Sequence, residues 1–154
     1  MPRPKIETNY LPQPITYFDR DKELLENMKL WQCRYTINGQ MLDFLVEPEY
    51  MWDGGTIPSL TWSLLKLHPM GIMEAPSLPH DILCDLRRGI ASDKVTILYH
   101  GEPFAITQDL ADRVFWQSLK YLGINKTKAW LMWRSVRRFQ RIQCRLQGWD
   151  YKLI

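Results

Sequence analysis

Hydrophobic and polar residues alternate most regularly between residues 29 and 46. In the segment 31–37 (WQCRYTI) every second residue is hydrophobic, which is the period-2 pattern of a half-buried strand. Asn38 and Gly39 follow, and this dipeptide accepts the two positive φ angles of a type I′ turn. The alternation then returns on three hydrophobic positions, Leu42, Phe44 and Val46. The pattern predicts a β-hairpin over residues 29–46.

Helical spacing, with hydrophobic residues three and four positions apart, dominates the C-terminal third of the chain. Thr107 is the expected N-cap of one helix, and Gly123 is expected to end it. The predicted inner face of this helix consists of Leu110, Ala111, Val114, Phe115, Ser118, Leu119 and Leu122. A second helix is predicted over residues 126–146, with an inner stripe of Ala129, Met132, Trp133, Val136 and Phe139.

Turn-forming and helix-capping residues interrupt the middle of the chain. Residues 52–58 (WDGGTIP) are predicted to form a loop, and a short helix is predicted over residues 59–67. Ser77 is the expected cap of another helix, which would place Pro79 in its permissive first turn and end near residue 88. A short strand is expected at residues 95–99.

A hairpin followed by helices is the order of an α+β domain, here a small antiparallel sheet packed against a cluster of about four helices. We expect residues 29–154 to form this single domain. Residues 1–28 are expected to be a Pro-rich N-terminal arm and its lead-in. The arm itself, residues 1–16, carries four prolines and few apolar anchors, so we expect it to be extended and to lie on its own domain or on a neighbouring chain.

Composition narrows the class of protein. Hydrophobic residues make up 45% and charged residues 24%, as in a folded globular protein, and the seven tryptophans favour a partner-binding surface. The three cysteines are widely separated and form no CxxC pair, so we expect reduced thiols instead of a disulfide framework or a four-cysteine zinc site. The N-terminus lacks the apolar core of a signal peptide, and we expect no membrane span.

The formal net charge of +3 conceals two unlike parts. Residues 1–112 contain 10 basic and 16 acidic residues, whereas residues 113–149 contain nine basic residues and no acid. Five of these, Arg134, Arg137, Arg138, Arg141 and Arg145, share the last predicted helix. Three interpretations are open for this basic helix: acids of the same domain neutralise it, it binds an acidic protein, or it binds nucleic acid phosphates.

Four acidic or imidazole side chains lie where predicted elements meet: Asp53, His80, Asp81 and Asp112. Asp53, His80 and Asp112 are candidate ligands of a divalent metal ion that would activate water, with Asp81 as orienting group or base. The same four side chains would also suit metal-free acid–base catalysis. His80 and Cys84 have the i, i+4 spacing of zinc ligands on a helix.

Each of these residues also has a purely structural interpretation. Asp53 is typical of an Asx-type turn that accepts its own backbone N–H groups. Asp81 and Asp112 are acids near helix starts, where the helix dipole favours them, and Asp112 is also a candidate partner for Arg137. His80 is equally typical of a hydrogen-bonded core histidine.

Taken in order, four short motifs resemble the phage and prophage family known as domain of unknown function 1353. In this chain they are residues 53–58 (DGGTIP), His80-Asp81, residues 111–115 (ADRVF) and residues 129–137 (AWLMWRSVR). The resemblance covers roughly residues 42–149. This chain has Cys84 where the family tends to have a tyrosine, and Gly55 where it tends to have an alanine. If that tyrosine is catalytic, this member is impaired.

The resemblance implies a phage origin, with synthesis in the host cytoplasm and residence in the virion. Our first expectation is a virion-associated structural or assembly component of the tail or neck. It would bind other phage proteins through residues 1–16 and the basic helix. The alternatives are a metal-dependent hydrolase of peptidoglycan or phosphoesters, which uses the four-residue set, and an intracellular effector that binds a host protein.

Overall fold

The computed structural model describes residues 3–52, 73–103 and 105–148. Within these ranges the chain forms seven strands and three helices, and the predicted α+β class is confirmed. The strands are β1 (Ile6–Tyr10), β2 (Thr16–Asp19), β3 (Leu24–Asn27), β4 (Trp31–Ile37), β5 (Gln40–Val46), β6 (Met51–Trp52) and β7 (Val95–Tyr99). The helices are α1 (Glu74–Arg87), α2 (Gln108–Tyr121) and α3 (Lys126–Gln147).

The predicted hairpin forms the centre of a four-stranded antiparallel sheet with the order β1-β4-β5-β7. Asn38 and Gly39 have φ angles of 52° and 79°, which are the two positive values that the type I′ turn requires. Alternate side chains of β4 are buried from Trp31 to Ile37, and the predicted strand at Val95–Tyr99 pairs with β5. These sequence predictions are confirmed.

The N-terminal segment adds strand β1 to the four-stranded sheet. Ile6 pairs with Ile37 of β4, and the side chains of Ile6 and Leu11 are each 3% exposed. Arg113 of α2 donates a hydrogen bond to the backbone carbonyl of Pro4. The sequence left open whether the arm lies on its own domain or on a neighbouring chain. The described part of the arm lies on its own domain. The domain boundary at residue 28 stays a prediction.

A second sheet with the order β2-β3-β6 lies beside the first. The side chain of Asn27 in β3 is fully buried and donates to the backbone carbonyls of Val46 and Glu47, both at 3.0 Å. These bonds attach the second sheet to the end of β5. None of the three strands of this sheet was predicted from the sequence.

Helix α1 begins earlier than predicted. Its first residue is Glu74, so Ser77 is not the N-cap but a buried residue inside the helix, where its hydroxyl donates to the carbonyl of Glu74 at 3.0 Å. This start places Pro76 in the first turn, where a missing N–H group costs no intrahelical hydrogen bond. Pro79 lies deeper in the helix than expected.

Helices α2 and α3 follow the predicted boundaries closely. Thr107 accepts a hydrogen bond from the Leu110 amide at 3.0 Å, as expected of an N-cap, and Gly123 has a φ angle of 70°. The predicted inner stripe of α3 is confirmed for Ala129, Met132 and Val136, which are buried, and Trp133 packs half-buried against the core between α2 and α3. Phe139 is only half-buried. The buried residues of α3 are Ala129, Met132, Val136, Gln140 and Cys144.

The hydrophobic core has two parts. The larger part fills the space between the four-stranded sheet and the helices α1 and α2. The smaller part lies between α2 and α3 and contains Phe115, Leu119, Met132 and Val136. Helix α2 therefore contacts both parts of the core, and α3 lies at the outside of the domain. In the described ranges no helix has the length and apolar content needed to cross a bilayer.

Candidate functional site

The site is built where α1 and α2 pack against each other. His80 of α1 and Asp112 of α2 approach with 2.8 Å between Nε2 and Oδ1. The two side chains are 1% and 0% exposed. The ring of His80 also packs against Phe115, with 5.4 Å between the ring centres. The two residues that the sequence analysis singled out 32 positions apart thus meet in the core.

Asp81 and Cys84 complete the surroundings of the imidazole. The Nδ1 atom of His80 lies 3.5 Å from Oδ1 of Asp81, whose side chain is 12% exposed. The Sγ atom of Cys84 is 3.9 Å from Nδ1 and 3.8 Å from Nε2, so the sulfur is nearly equidistant from the two nitrogens. Each ring nitrogen therefore faces a carboxylate.

Gln108 extends this cluster and was not among the residues predicted from the sequence. Its Nε2 group donates to Oδ1 of Asp112 at 3.0 Å and to Sγ of Cys84 at 3.1 Å. Its Oε1 atom accepts from Nε of Arg87 at 3.0 Å. Gln108 is fully buried and lies four residues before Asp112 on α2. That i, i+4 spacing of two polar residues on an otherwise apolar face was the available signal.

Opposing effects act on the pKa of His80. Burial by itself lowers this pKa, because it removes water from the charged form. Cys84 and the hydrogen bonds to Asp112 and Asp81 act in the other direction and prevail, so the pKa of His80 lies well above its ordinary value of 6.5. The fully buried carboxylate of Asp112, at 2.8 Å, is the physical reason to expect an imidazolium at neutral pH.

Three further hydrogen bonds join α1 and α2 to the two sheets. The hydroxyls of Tyr35 and Ser118 lie 2.7 Å apart in the core. The indole of Trp52 donates to Ser77 at 3.3 Å, and Thr16 donates to Glu74 at 2.9 Å. The N-terminal half of α1 is therefore held by strands from the second sheet, and the His80–Asp112 pair lies between elements that are fixed on several sides.

Asp53 lies outside the described residues, as do the predicted DGGTIP loop and the helix over residues 59–67. The three-ligand metal set of Asp53, His80 and Asp112 therefore stays a prediction. Among the residues that the structure describes, no group of three His, Cys, Asp or Glu side chains has an arrangement that would hold a metal ion. Nε2 of His80 is directed at Asp112 itself.

An acid of the same domain neutralises an arginine of the basic helix α3. Arg137 pairs with Asp109 of α2 at 3.1 Å, and both side chains are largely buried. Asp112, the partner that the sequence suggested for Arg137, accepts a hydrogen bond from Gln108 and contacts His80. Arg134, Arg138, Arg141 and Arg145 are exposed.

A family model described as "Protein of unknown function (DUF1353)" matches residues 29–136, which is most of the chain. The chain belongs to this family. The matched segment contains the hairpin, all of α1 and α2, and the whole His80–Asp112 cluster. It excludes β1–β3 and the C-terminal half of α3. No curated protein and no solved structure matches the chain.

Proposed function

We propose that this protein is a non-catalytic structural or assembly component of a phage particle, placed in the tail or neck. The observation that carries the proposal is the environment of His80. A general base or a metal ligand needs a ring nitrogen that reaches substrate, water or an ion. Here Nε2 faces Asp112 and Nδ1 faces Asp81. The side chain is 1% exposed, and its ring packs against Phe115.

The cluster is well suited to a structural role. Three contacts of the cluster join α1 to α2: His80 with Asp112, Arg87 with Gln108, and Cys84 with Gln108. Buried polar groups that are satisfied in this way favour a single packing arrangement over alternatives. A component of a particle needs a rigid domain with a defined surface, and this network supplies rigidity.

The surface near the N-terminus supports binding to a protein partner. Between residues 10 and 30, five large hydrophobic side chains are 49–65% exposed: Tyr10, Ile15, Tyr17, Met28 and Leu30. Ile15 and Met28 are neighbours, because the Met28 amide donates to the Ile15 carbonyl at 2.8 Å. Grouped exposed apolar side chains mark interaction sites on folded proteins. This N-terminal apolar patch is our proposed contact with other particle proteins.

The phage assignment rests on the family. The motif resemblance implies tailed phages and their prophages as the source. The experiment is mass spectrometry of purified particles of the encoding phage, with the double variant Ile15→Ser/Leu30→Ser as the test of the patch. We expect the protein in wild-type particles and loss of incorporation in the variant. Control particles carry Ile90→Ser/Leu98→Ser, which removes two exposed apolar side chains outside residues 10–30. Absence of the protein from wild-type particles would rule out the proposal.

A metal-dependent hydrolase is the second candidate, and one observation favours it. Three of the four predicted residues, His80, Asp81 and Asp112, do come together. Under this alternative, Asp53→Asn abolishes hydrolysis of peptidoglycan or a phosphoester and weakens Mn²⁺ binding while the protein stays folded. Under our proposal, Asp53→Asn changes neither property, because there is no hydrolysis or Mn²⁺ binding to lose.

A further inference from the structure

Helix α3 presents a row of arginines directly away from the core. Arg134, Arg138, Arg141 and Arg145 are separated by steps of four, three and four residues and are exposed. With about 3.6 residues per turn, these steps keep the four side chains within an arc of about 60°. The buried residues of the helix, centred on Met132 and Val136, lie on the opposite side. We call these four residues the arginine row.

The row is a linear and purely cationic feature. Residues 126–147 contain seven basic residues and no acid. The ion pair of Arg137 with Asp109 is made on the side of the helix that faces α2, so it leaves the outer row unchanged. From Arg134 to Arg145 the row extends about 16 Å along the helix axis. Four guanidinium groups over that length repel one another, which favours a partner that brings several negative charges.

An exposed aromatic ring lies at the N-terminal end of the row. The Trp130 side chain is 44% exposed, and the guanidinium carbon of Arg134 lies 5.1 Å from its ring centre. An exposed indole beside a cationic groove or row is the combination on which nucleic acid bases stack while the backbone contacts arginines. An acidic protein face explains the arginines but requires no such platform.

We propose that the arginine row and Trp130 bind the phosphate backbone of a nucleic acid without sequence specificity. Four regularly spaced guanidinium groups suit a polyanion with a regular repeat of charge, and arginine is the side chain best suited to phosphate oxygens. The row lies on α3, whereas the N-terminal apolar patch lies on β1–β4 and their connections. This inference therefore stands independently of the proposed particle role.

The test is fluorescence anisotropy of the full chain with a labelled 20-base-pair duplex and a labelled 20-nucleotide single strand, at 50 and 200 mM salt. Four phosphate contacts predict that affinity for the duplex falls roughly 100-fold, and for the single strand about 50-fold, over this range. The double variant Arg138→Gln/Arg145→Gln should halve the salt dependence, because each lost phosphate contact lowers the slope by about one. Circular dichroism confirms that each variant is folded.

The matched control is Arg20→Gln/Lys22→Gln, which removes the same two charges from the exposed turn after β2. We expect this control to keep the salt slope of the parent protein. Trp130→Ala distinguishes single-stranded from double-stranded nucleic acid as the ligand. If bases stack on the indole, this variant lowers affinity for the single strand at least fivefold and leaves duplex binding unchanged.

Three results would overturn the inference. The first is the absence of binding to either nucleic acid at 50 mM salt. The second is binding that the Arg138→Gln/Arg145→Gln variant does not weaken more than the control does. The third is competition by polyglutamate as effective, charge for charge, as competition by unlabelled DNA, which would assign the row to an acidic protein.

Discussion

Nε2 of His80 and Oδ1 of Asp112 lie 2.8 Å apart in the core, and the two side chains are 1% and 0% exposed. An ion pair at this depth contributes little net stability compared with a hydrophobic pair, because both groups lose their hydration. Removal of one partner, in contrast, leaves the other charge buried and unpaired, which is costly. The pair therefore makes the packing of α1 on α2 sensitive to single substitutions.

The first prediction concerns Asp112. Asp112→Ala should lower the free energy of unfolding by about 3–5 kcal/mol, because it leaves the imidazolium of His80 without its buried counter-ion. Asp81→Ala, which removes the more distant and partly exposed carboxylate, should cost about 1 kcal/mol. The measurement is urea unfolding followed by tryptophan fluorescence. An equal decrease in the free energy of unfolding of the two variants would show that the short contact to Asp112 contributes no more than the contact to Asp81.

The second prediction concerns pH. The folded-state pKa of His80 is raised above 6.5, so folding favours the protonated ring. The resulting stabilisation is fully present below pH 6.5 and is lost as pH rises through the folded-state pKa. The difference in unfolding free energy between the parent and His80→Gln should therefore shrink from pH 6 to pH 9. A difference that grows with pH would mean that the ring is buried in its neutral form.

The third prediction concerns β1. Ile6→Ala should cost about 2–5 kcal/mol, because Ile6 is 3% exposed in the core beneath the four-stranded sheet. Glu7→Ala alters the neighbouring residue, whose exposed side chain pairs with Lys5, and should change stability little. Thermal unfolding of the two variants tests this. A negligible effect of Ile6→Ala would show that β1 is not an integral strand of the domain.

The fourth prediction concerns the thiols. Cys33, Cys84 and Cys144 are 0%, 4% and 1% exposed, and burial raises the pKa of the Cys33 thiol well above its ordinary value. In the native protein none of them should react with a thiol reagent within minutes at pH 8, and all three should react in denaturant. Gln147→Cys, at an exposed position of α3, is the positive control. Rapid native labelling of Cys84 would place the His80 cluster within reach of solvent.

The predictable parts of the fold have strong local signals. The hairpin around Asn38 and Gly39 combines strict alternation with a turn whose backbone angles few other residues accept. Thr107 and Gly123 mark the ends of α2 by local hydrogen bonding and backbone freedom. These features require no knowledge of tertiary contacts, so the sequence suffices to locate them.

The features that the sequence analysis missed depend on distant contacts. Strand β1 has few apolar residues and becomes a strand because β4 offers it hydrogen bonds and buries Ile6. The N-cap of α1 was placed four residues late, at Ser77 instead of Met73, because Ser77 has a capping residue's chemistry but lies inside the helix, where it bonds to Glu74. Short strands such as β6 (Met51–Trp52) have no periodicity to detect.

The site was predictable in part. His80 and Asp112 were singled out as chemistry-bearing residues, and they do meet. A hydrogen-bonded core histidine was one of the interpretations of His80, but the choice among them depends on how α1, α2 and the sheet pack. Gln108 was missed because its local signal, the i, i+4 spacing to Asp112, does not show that it also contacts Cys84 on the other helix.

The central claim, that His80 is a buried structural imidazolium, is tested most directly by its ring ¹⁵N resonances between pH 6 and pH 9, with and without Mn²⁺. We predict that both ring nitrogens remain protonated at pH 7.5 and that Mn²⁺ leaves the signals unchanged. A ring that is already neutral at pH 7.5, or signals that Mn²⁺ broadens, would contradict the claim and favour the metal-dependent hydrolase as the function.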